Sequence, residues 1–407
     1  MNTARTRRRL GNWLPVKNRV FGRLWMISLV SGSLVAAQDI ATRWVVHRST
    51  SSAFLLSLVP TLSSAAFFLL TLPGGLLADR LPRNRLLSYI YAGLAVVSVA
   101  LAFVCSWSRF AARGTLSLSL LFGAGLALSA PVWATLLVET VEKSDLEVAV
   151  ALSGTQLNLS SIIGPAIGGL LLPRLGPEAV FLLGCLTFAA ISIMTRFWWP
   201  IRKDVQRQTA SLREALREII QVLQQRPRIR TVIFQIVLFS FFIAVIPTLL
   251  PTLGLKVLKI NSGELGLLFT SLGIGSIVGG VFLIPLIHAK LSANTVTVAA
   301  CILLVMALYL IGVLQLKIIF FAVAALSGSA WTLAASEIWA AGQRATPDHS
   351  RGKINAVFMM VGSGAMALGG LAWASMADAT GIRNTIRLAA LTLLLSLPLR
   401  LRWSLDD

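Results

Sequence analysis

Two acids stand inside long apolar stretches of this chain: Asp39, in "LVAAQDIATRWVV", and Glu337, in "WTLAASEIWAA". In such surroundings a carboxylate can take up and release a proton, hold a substrate, or neutralise a nearby cation. A charge in a bilayer core costs at least about 2.5 kcal/mol, so a functional role is the default for both. Asp39 has Arg43 four residues on, which puts the two on one face of a helix. The sequence leaves two readings of Asp39 open: a structural ion pair, or a carrier of protons or substrate. Glu337 has no basic residue one turn away, and Arg344 lies two turns on, so snorkelling to the interface stands against a coupling role. Gln156, Asn158 and Gln235 are uncharged but polar within apolar runs, and read either as cavity lining or as helix-to-helix hydrogen bonds.

Other chemistries find little support. His47, His288 and His349 fall at the edges of apolar runs without HxxxH or HExxH spacing, and Cys105, Cys185 and Cys301 have no metal-ligand spacing. No GxxxxGK[ST] loop is present to cradle a nucleotide. No catalytic residue, metal or cofactor is expected, and a membrane-embedded enzyme or a structural protein is the weaker alternative.

The elements that must position the two acids follow from hydropathy. The 407 residues are 56% hydrophobic and 13% charged, with a mean hydropathy of +0.80; a soluble domain carries about 25% charged residues. Apolar runs long enough to cross a bilayer recur at 20–45, 53–77, 86–106, 116–138, 148–172, 178–198, 231–254, 263–287, 293–313, 317–341, 354–376 and 384–400. The expected fold is all-α and integral to the membrane, with twelve transmembrane helices. The net charge of +20 has a topological cause. If the N-terminus is cytoplasmic, both termini and the connections after spans 2, 4, 6, 8 and 10 hold 26 of the 36 Lys and Arg. That is the positive-inside bias, so no nucleic-acid partner is expected. A signal peptide ending near Ala37 would leave an odd number of spans and spoil this bias.

Charge also concentrates at one tight connection, "GGLLADRLPRNRLL" from Gly74 to Leu87. The longest polar segment lies mid-chain, where Leu212, Leu216, Ile219, Ile220 and Leu223 recur at helical spacing opposite Arg213, Glu214, Arg217 and Glu218. This predicts an amphipathic helix on the inner membrane surface. The expected organisation is a basic cytoplasmic N-terminus (1–19), a six-helix half (20–199), a cytoplasmic linker (200–230), a second six-helix half (231–400) and a cytoplasmic C-terminus (401–407). The halves share internal matches in the same order. "ALSAPVWATLL" from Ala127 opens like "ALSGSAWTLAA" from Ala325, Gly168–Gly169 is echoed by Gly369–Gly370, and Gly74–Gly75 by Gly279–Gly280. Six plus six helices in parallel halves is a transporter architecture with its site between them.

The stretch after span 2 resembles motif A of the major facilitator superfamily: Gly75, Asp79, Arg80, Arg83 and Arg85 match, while Pro82 replaces the second glycine. "GPAIGG", with Gly164, Pro165, Gly168 and Gly169, resembles motif C, associated with exporters of that superfamily; Ala151 and Ser160 stand at two upstream positions where it has glycine. "AQDIATRW", "APVWATLL" and "GQRATPDHSRGKINAV" resemble the bacterial branch of siderophore and drug exporters and secretion effectors. The resemblance covers almost the whole chain and implies the major facilitator fold. It implies a secondary transporter of the bacterial inner membrane that exports a small molecule against protons. An importer or facilitator of the same fold is the alternative. It also implies that Asp79 pairs with the start of helix 11, near Ser350 to Asn355, with Glu139 or Glu142 completing a gate; the bland reading is a basic topology anchor. The partners expected are the substrate, protons and the lipid bilayer, and the chain is expected to act as a monomer.

Overall fold

The computed structural model describes residues 18–107, 111–142, 145–197, 212–288, 291–313, 316–347 and 350–405, all of them helices and their short connections. Eleven helices are long and apolar enough to cross a membrane, but one of them, Val148–Phe197, has 50 residues. At 1.5 Å per residue it would reach about 75 Å, more than twice a bilayer core of about 30 Å. It is two crossings. Gly176 breaks it at φ 79 and ψ 172, a left-handed conformation open to glycine, and Pro177 starts the next helix. Twelve crossings result, and an even number puts Arg19, at the start of the first, and Arg402, at the end of the last, on one face.

The crossings are α1 (Arg19–Ser49), α2 (Ala53–Arg80), α3 (Arg83–Cys105), α4 (Ala111–Glu139), and α5 and α6, which divide Leu146–Phe197 at Gly176. After the linker helix Leu212–Gln225 come α7 (Pro227–Lys256), α8 (Ser262–Ile287), α9 (Ala293–Val313), α10 (Lys317–Ala345), α11 (Arg351–Thr380) and α12 (Ile382–Arg402). Local chemistry sets many of the ends. Asn18 caps α1 by accepting from the Val20 and Phe21 amides, Ser52 caps α2 through Leu55 N, and Asn261 and Glu264 form a reciprocal capping box on α8. Gly381, at φ 86, separates α11 from α12. Apolar side chains cover much of the exterior, as Phe103, Val96 and Leu186 do, which is stable only against lipid.

Two six-helix halves meet along α2–α11 and α5–α8, and the duplicated glycine pairs sit at equivalent points of that junction. Gly168 packs on Ala37 of α1, in its own half, while a Cβ on Gly169 would stand 3.1 Å from Gly266 Cα of α8, in the other half. Gly369 packs likewise on Phe241 of α7, in its own half, and Gly370 on Thr61 of α2, in the other. The first glycine of each pair closes a half and the second closes the junction. The third match is also preserved: Gly74 packs on Leu128 of α4, and Gly279 on Ser329 of α10. Around Gly279–Gly280, residues Val278–Leu283 of α8 are wound as a π-helix, a form commonly confined to single turns inside α-helices.

Candidate functional site at the junction of the halves

Helix α1 carries Asp39 and Arg43 one turn apart. Arg43 Nε donates to Asp39 Oδ2 at 2.8 Å, and its Nη1 donates to the backbone carbonyl of Pro247, on α7, at 2.7 Å. Its guanidinium also lies 5.0 Å from the centre of the Phe269 ring on α8. The Arg43 side chain is 4% exposed and that of Asp39 34%, so the cation is enclosed between the halves while the acid remains partly open.

The acceptor on α7 follows from the sequence "IPTLLP". In a regular helix the carbonyl of Pro247 would accept from the amide of residue 251. That residue is Pro251, which has no N–H, so the carbonyl is left for Arg43. Pro247 likewise offers no N–H to the Ile243 carbonyl, but Ala244 keeps helical angles, φ −55 and ψ −24, and its carbonyl accepts from Thr248 N at 3.2 Å, so the helix runs on. The proline pair, spaced four apart, is the sequence signal that points to this acceptor; Phe269 has none, because only the packing of α8 brings it there.

Further contacts tie the halves together beside Arg43. Ser57 Oγ, on α2, donates to Thr248 O at 3.3 Å and lies 3.3 Å from Thr252 Oγ1. Lys256 Nζ, at the end of α7, reaches the carbonyl of Ser51, and that of Thr50 at 3.5 Å, in the α1–α2 connection. All of these lie toward the face opposite the termini.

The remaining candidates sit elsewhere. Glu337 is fully enclosed in α10, eight residues before its end, and Arg344 is exposed. Gln156 Nε2 donates to Ser28 O of α1 at 2.9 Å and to Ser160 Oγ at 3.0 Å, inside one half. Asn158 is half-buried, and its backbone carbonyl accepts from Ser161 Oγ. Gln235 is fully enclosed, and its amide is bonded to Arg400 and Trp403 at the end of the chain. At the motif A connection only Leu81 and Pro82 separate α2 from α3. Pro82, at φ −58, takes the place before the first helical residue. Arg80 and Arg85 are exposed, Arg83 is half-buried, and space is open around Gly75. The side chains of Asp79 and Glu139 lie outside the described residues, as does His349; Glu142 is exposed. At the start of α11, Ser350 is enclosed and Asn355 Oδ1 accepts from Gln343 Nε2 of α10 at 2.8 Å. Gly164 of the "GPAIGG" stretch lies against the Ser33 carbonyl of α1.

Comparisons with known proteins agree with this architecture. The chain is 23% identical over 364 residues to the staphyloferrin A transporter of Staphylococcus aureus (strain NCTC 8325 / PS 47), covering 87% of this chain and 88% of that one. A gallate transporter of Pseudomonas putida is 27% identical over a shorter stretch, 33% of this chain and 28% of its own. In fold the chain resembles a bacterial homologue of the human lysosomal transporter Spinster, with a TM-score of 0.74 at 12% identity over 97% of this chain and 98% of that one. A D-xylose–proton symporter gives 0.70 at 13% identity, over 91% and 96%. The sequence profile of transmembrane secretion effectors matches residues 10–407. With twelve crossings in two halves joined by duplicated glycine pairs, the chain belongs to that family of transmembrane secretion effectors, membrane transporters of the major facilitator superfamily.

Proposed function

We propose that the protein is a proton-coupled exporter of a small organic molecule, working by alternating access in the bacterial cytoplasmic membrane with both termini in the cytoplasm. The observation that carries this reading is the Asp39–Arg43–Pro247 chain, in which an acid on one half is paired with a cation that bonds to the other. With Asp39 charged, Arg43 is held in place to clasp the Pro247 carbonyl. A proton on Asp39 removes half of the ion pair and frees Arg43 to let go, so proton uptake and opening of this face are one event. Glu337, enclosed in the other half, is the second acid proposed for the coupling path. Asp79 is proposed as the latch of the opposite gate and the motif A arginines as its anchor on anionic lipid. The "GPAIGG" stretch, which the family resemblance ties to exporters, supports the direction. A siderophore-like cargo is the substrate class favoured by the relative from Staphylococcus aureus.

The test uses proteoliposomes loaded with candidate cargo. Asp39→Asn keeps the size and one hydrogen-bond acceptor but cannot titrate, so gradient-driven transport should fall at least about tenfold while exchange without a gradient persists. If Asp39 only neutralises Arg43, the double change Asp39→Asn with Arg43→Gln restores driven transport, and that rescue defeats the coupling role. In the same assay Asp79→Asn should lower transport in protein that remains folded; unchanged transport reduces the connection to a topology anchor.

A further inference from the structure

Where α1 ends and α7 meets α8, a pocket of about 490 Å³ opens at the face opposite the termini, lined by His47, Ser51, Leu255, Lys256, Lys259 and Ile260. His47 and Ser51 come from one half and the other four from the second. Half of the lining residues carry basic groups and none is acidic. A nearby acid, Glu264, is committed elsewhere: it accepts from Lys317 Nζ at 2.8 and 2.9 Å and from the Asn261 amide at 2.8 Å. Lys256 is held by the carbonyls of Thr50 and Ser51, which orient its ammonium without neutralising it. His47 Nδ1 is enclosed without a hydrogen-bond partner, its ring 5.7 Å from that of Trp44.

The backbone adds an independent sign. Lys259 is the non-glycine residue with positive φ among the described residues, at 51°. Helix ends use this conformation, but glycine or asparagine normally supplies it, and a long side chain there costs on the order of 1 kcal/mol. The turn around it is well closed, with Leu258 N donating to Leu253 O at 3.1 Å and Ile260 N to Gly254 O at 3.0 Å. A glycine would close this turn with less strain, so the cation is what lysine adds. Strain of this kind tends to gather at binding sites.

From these features we infer that the pocket binds a small organic carboxylate, with the anion between Lys256 and Lys259 and the apolar body on Leu255 and Ile260, beside the His47 ring. The volume falls in the range of small-molecule sites, about 300–1,000 Å³. An anion seated here competes with Thr50 and Ser51 for the Lys256 ammonium. Binding therefore weakens a contact between the halves and favours opening on this face. The site is separate from the Asp39–Arg43 pair; only its assignment to the outside of the cell rests on the proposed orientation.

The test measures binding of benzoate to the full chain in lipid nanodiscs by calorimetry at fixed ionic strength, with benzamide as the neutral counterpart and sulfate as the anion lacking an apolar body. Benzoate is expected to bind more tightly than either. Lys256→Gln and Lys259→Gln should each weaken it about tenfold, about 1.4 kcal/mol. Lys259→Arg should retain binding. Lys259→Gly, which relieves the backbone and keeps the turn, should lose it as fully as the glutamine variant. Equal binding of benzamide, equal binding of sulfate, or undiminished benzoate affinity in the two glutamine variants overturns the proposal. None of these outcomes depends on the direction of transport or on proton coupling.

Discussion

A buried charge in a membrane protein is stable only while its hydrogen-bond partners remain, and Arg400 illustrates this as clearly as Arg43. Arg400 is fully enclosed near the end of α12. Its Nη1 donates to Gln235 Oε1 at 2.9 Å and its guanidinium lies 5.7 Å from the Phe239 ring centre, while its Nε and Nη2 are enclosed without a hydrogen-bond partner among the described residues, so Gln235 supplies the side-chain acceptor it has. Gln235 Nε2 in turn donates to the carbonyls of Arg400, at 3.2 Å, and Trp403, at 2.7 Å. The amide thus fastens the end of the chain to α7 in three places. Gln235→Leu takes away the acceptor of Arg400 Nη1, and losing a hydrogen bond to a charged group costs about 1.5–3 kcal/mol. A marked fall in thermal unfolding temperature in detergent is the expected outcome. Arg400→Met together with Gln235→Leu should recover most of that loss, because a matched apolar pair is tolerated where a single unpaired charge is not. If the double variant unfolds as early as the single, the link is not electrostatic.

At the scale of the element, α7 is a helix short of two interior donors, those of Pro247 and Pro251. Pro251 leaves the Pro247 carbonyl open, and Arg43 crosses from the other half to fill it. Pro251→Ala restores an N–H within the same helix and hence a competitor for that carbonyl. An interior proline costs a helix about 3 kcal/mol, so this change should hold or raise the unfolding temperature. The clasp on Arg43 should weaken at the same time. Cysteines placed near the junction should then react faster from the face opposite the termini. Slower or unchanged labelling in a stable variant would show that the carbonyl is not what Arg43 needs.

At the scale of the molecule, the proposed topology, with an even number of crossings, puts both ends of the chain on the face richer in basic residues. Reporters fused after Asp407 and within 203–226 are therefore expected to read cytoplasmic. A periplasmic signal from either fusion would reverse the proposed orientation. The two halves are related by repetition, and the repetition reaches the contacts. Each of the pairs Gly168–Gly169 and Gly369–Gly370 has one residue against its own half and one against the other. The close approach at both points suits halves that rock against each other, because small residues let backbones touch without interlocked side chains.

The sequence by itself determined the number of crossings and their order and put Asp39 and Arg43 on one helix face, because these depend on hydropathy, charge and spacing along the chain. Even the break at Gly176 is announced by "LGPE". The i, i+4 spacing of Asp39 and Arg43 likewise allowed their ion pair, one of the two readings left open by the sequence. What the far side of Arg43 holds was decided only by tertiary structure. Pro247 lies 204 residues away and Phe269 on yet another helix, and no local pattern records which two surfaces will meet. The same is true of Gln235, whose partners lie at the other end of the second half. The basic pocket also comes into being only when the end of α1 and the turn after α7 are brought together. Lipid offers apolar helices no preference among apolar faces, so the choice of partner falls to a few polar groups and close-packed glycines, and their complementarity exists only in three dimensions.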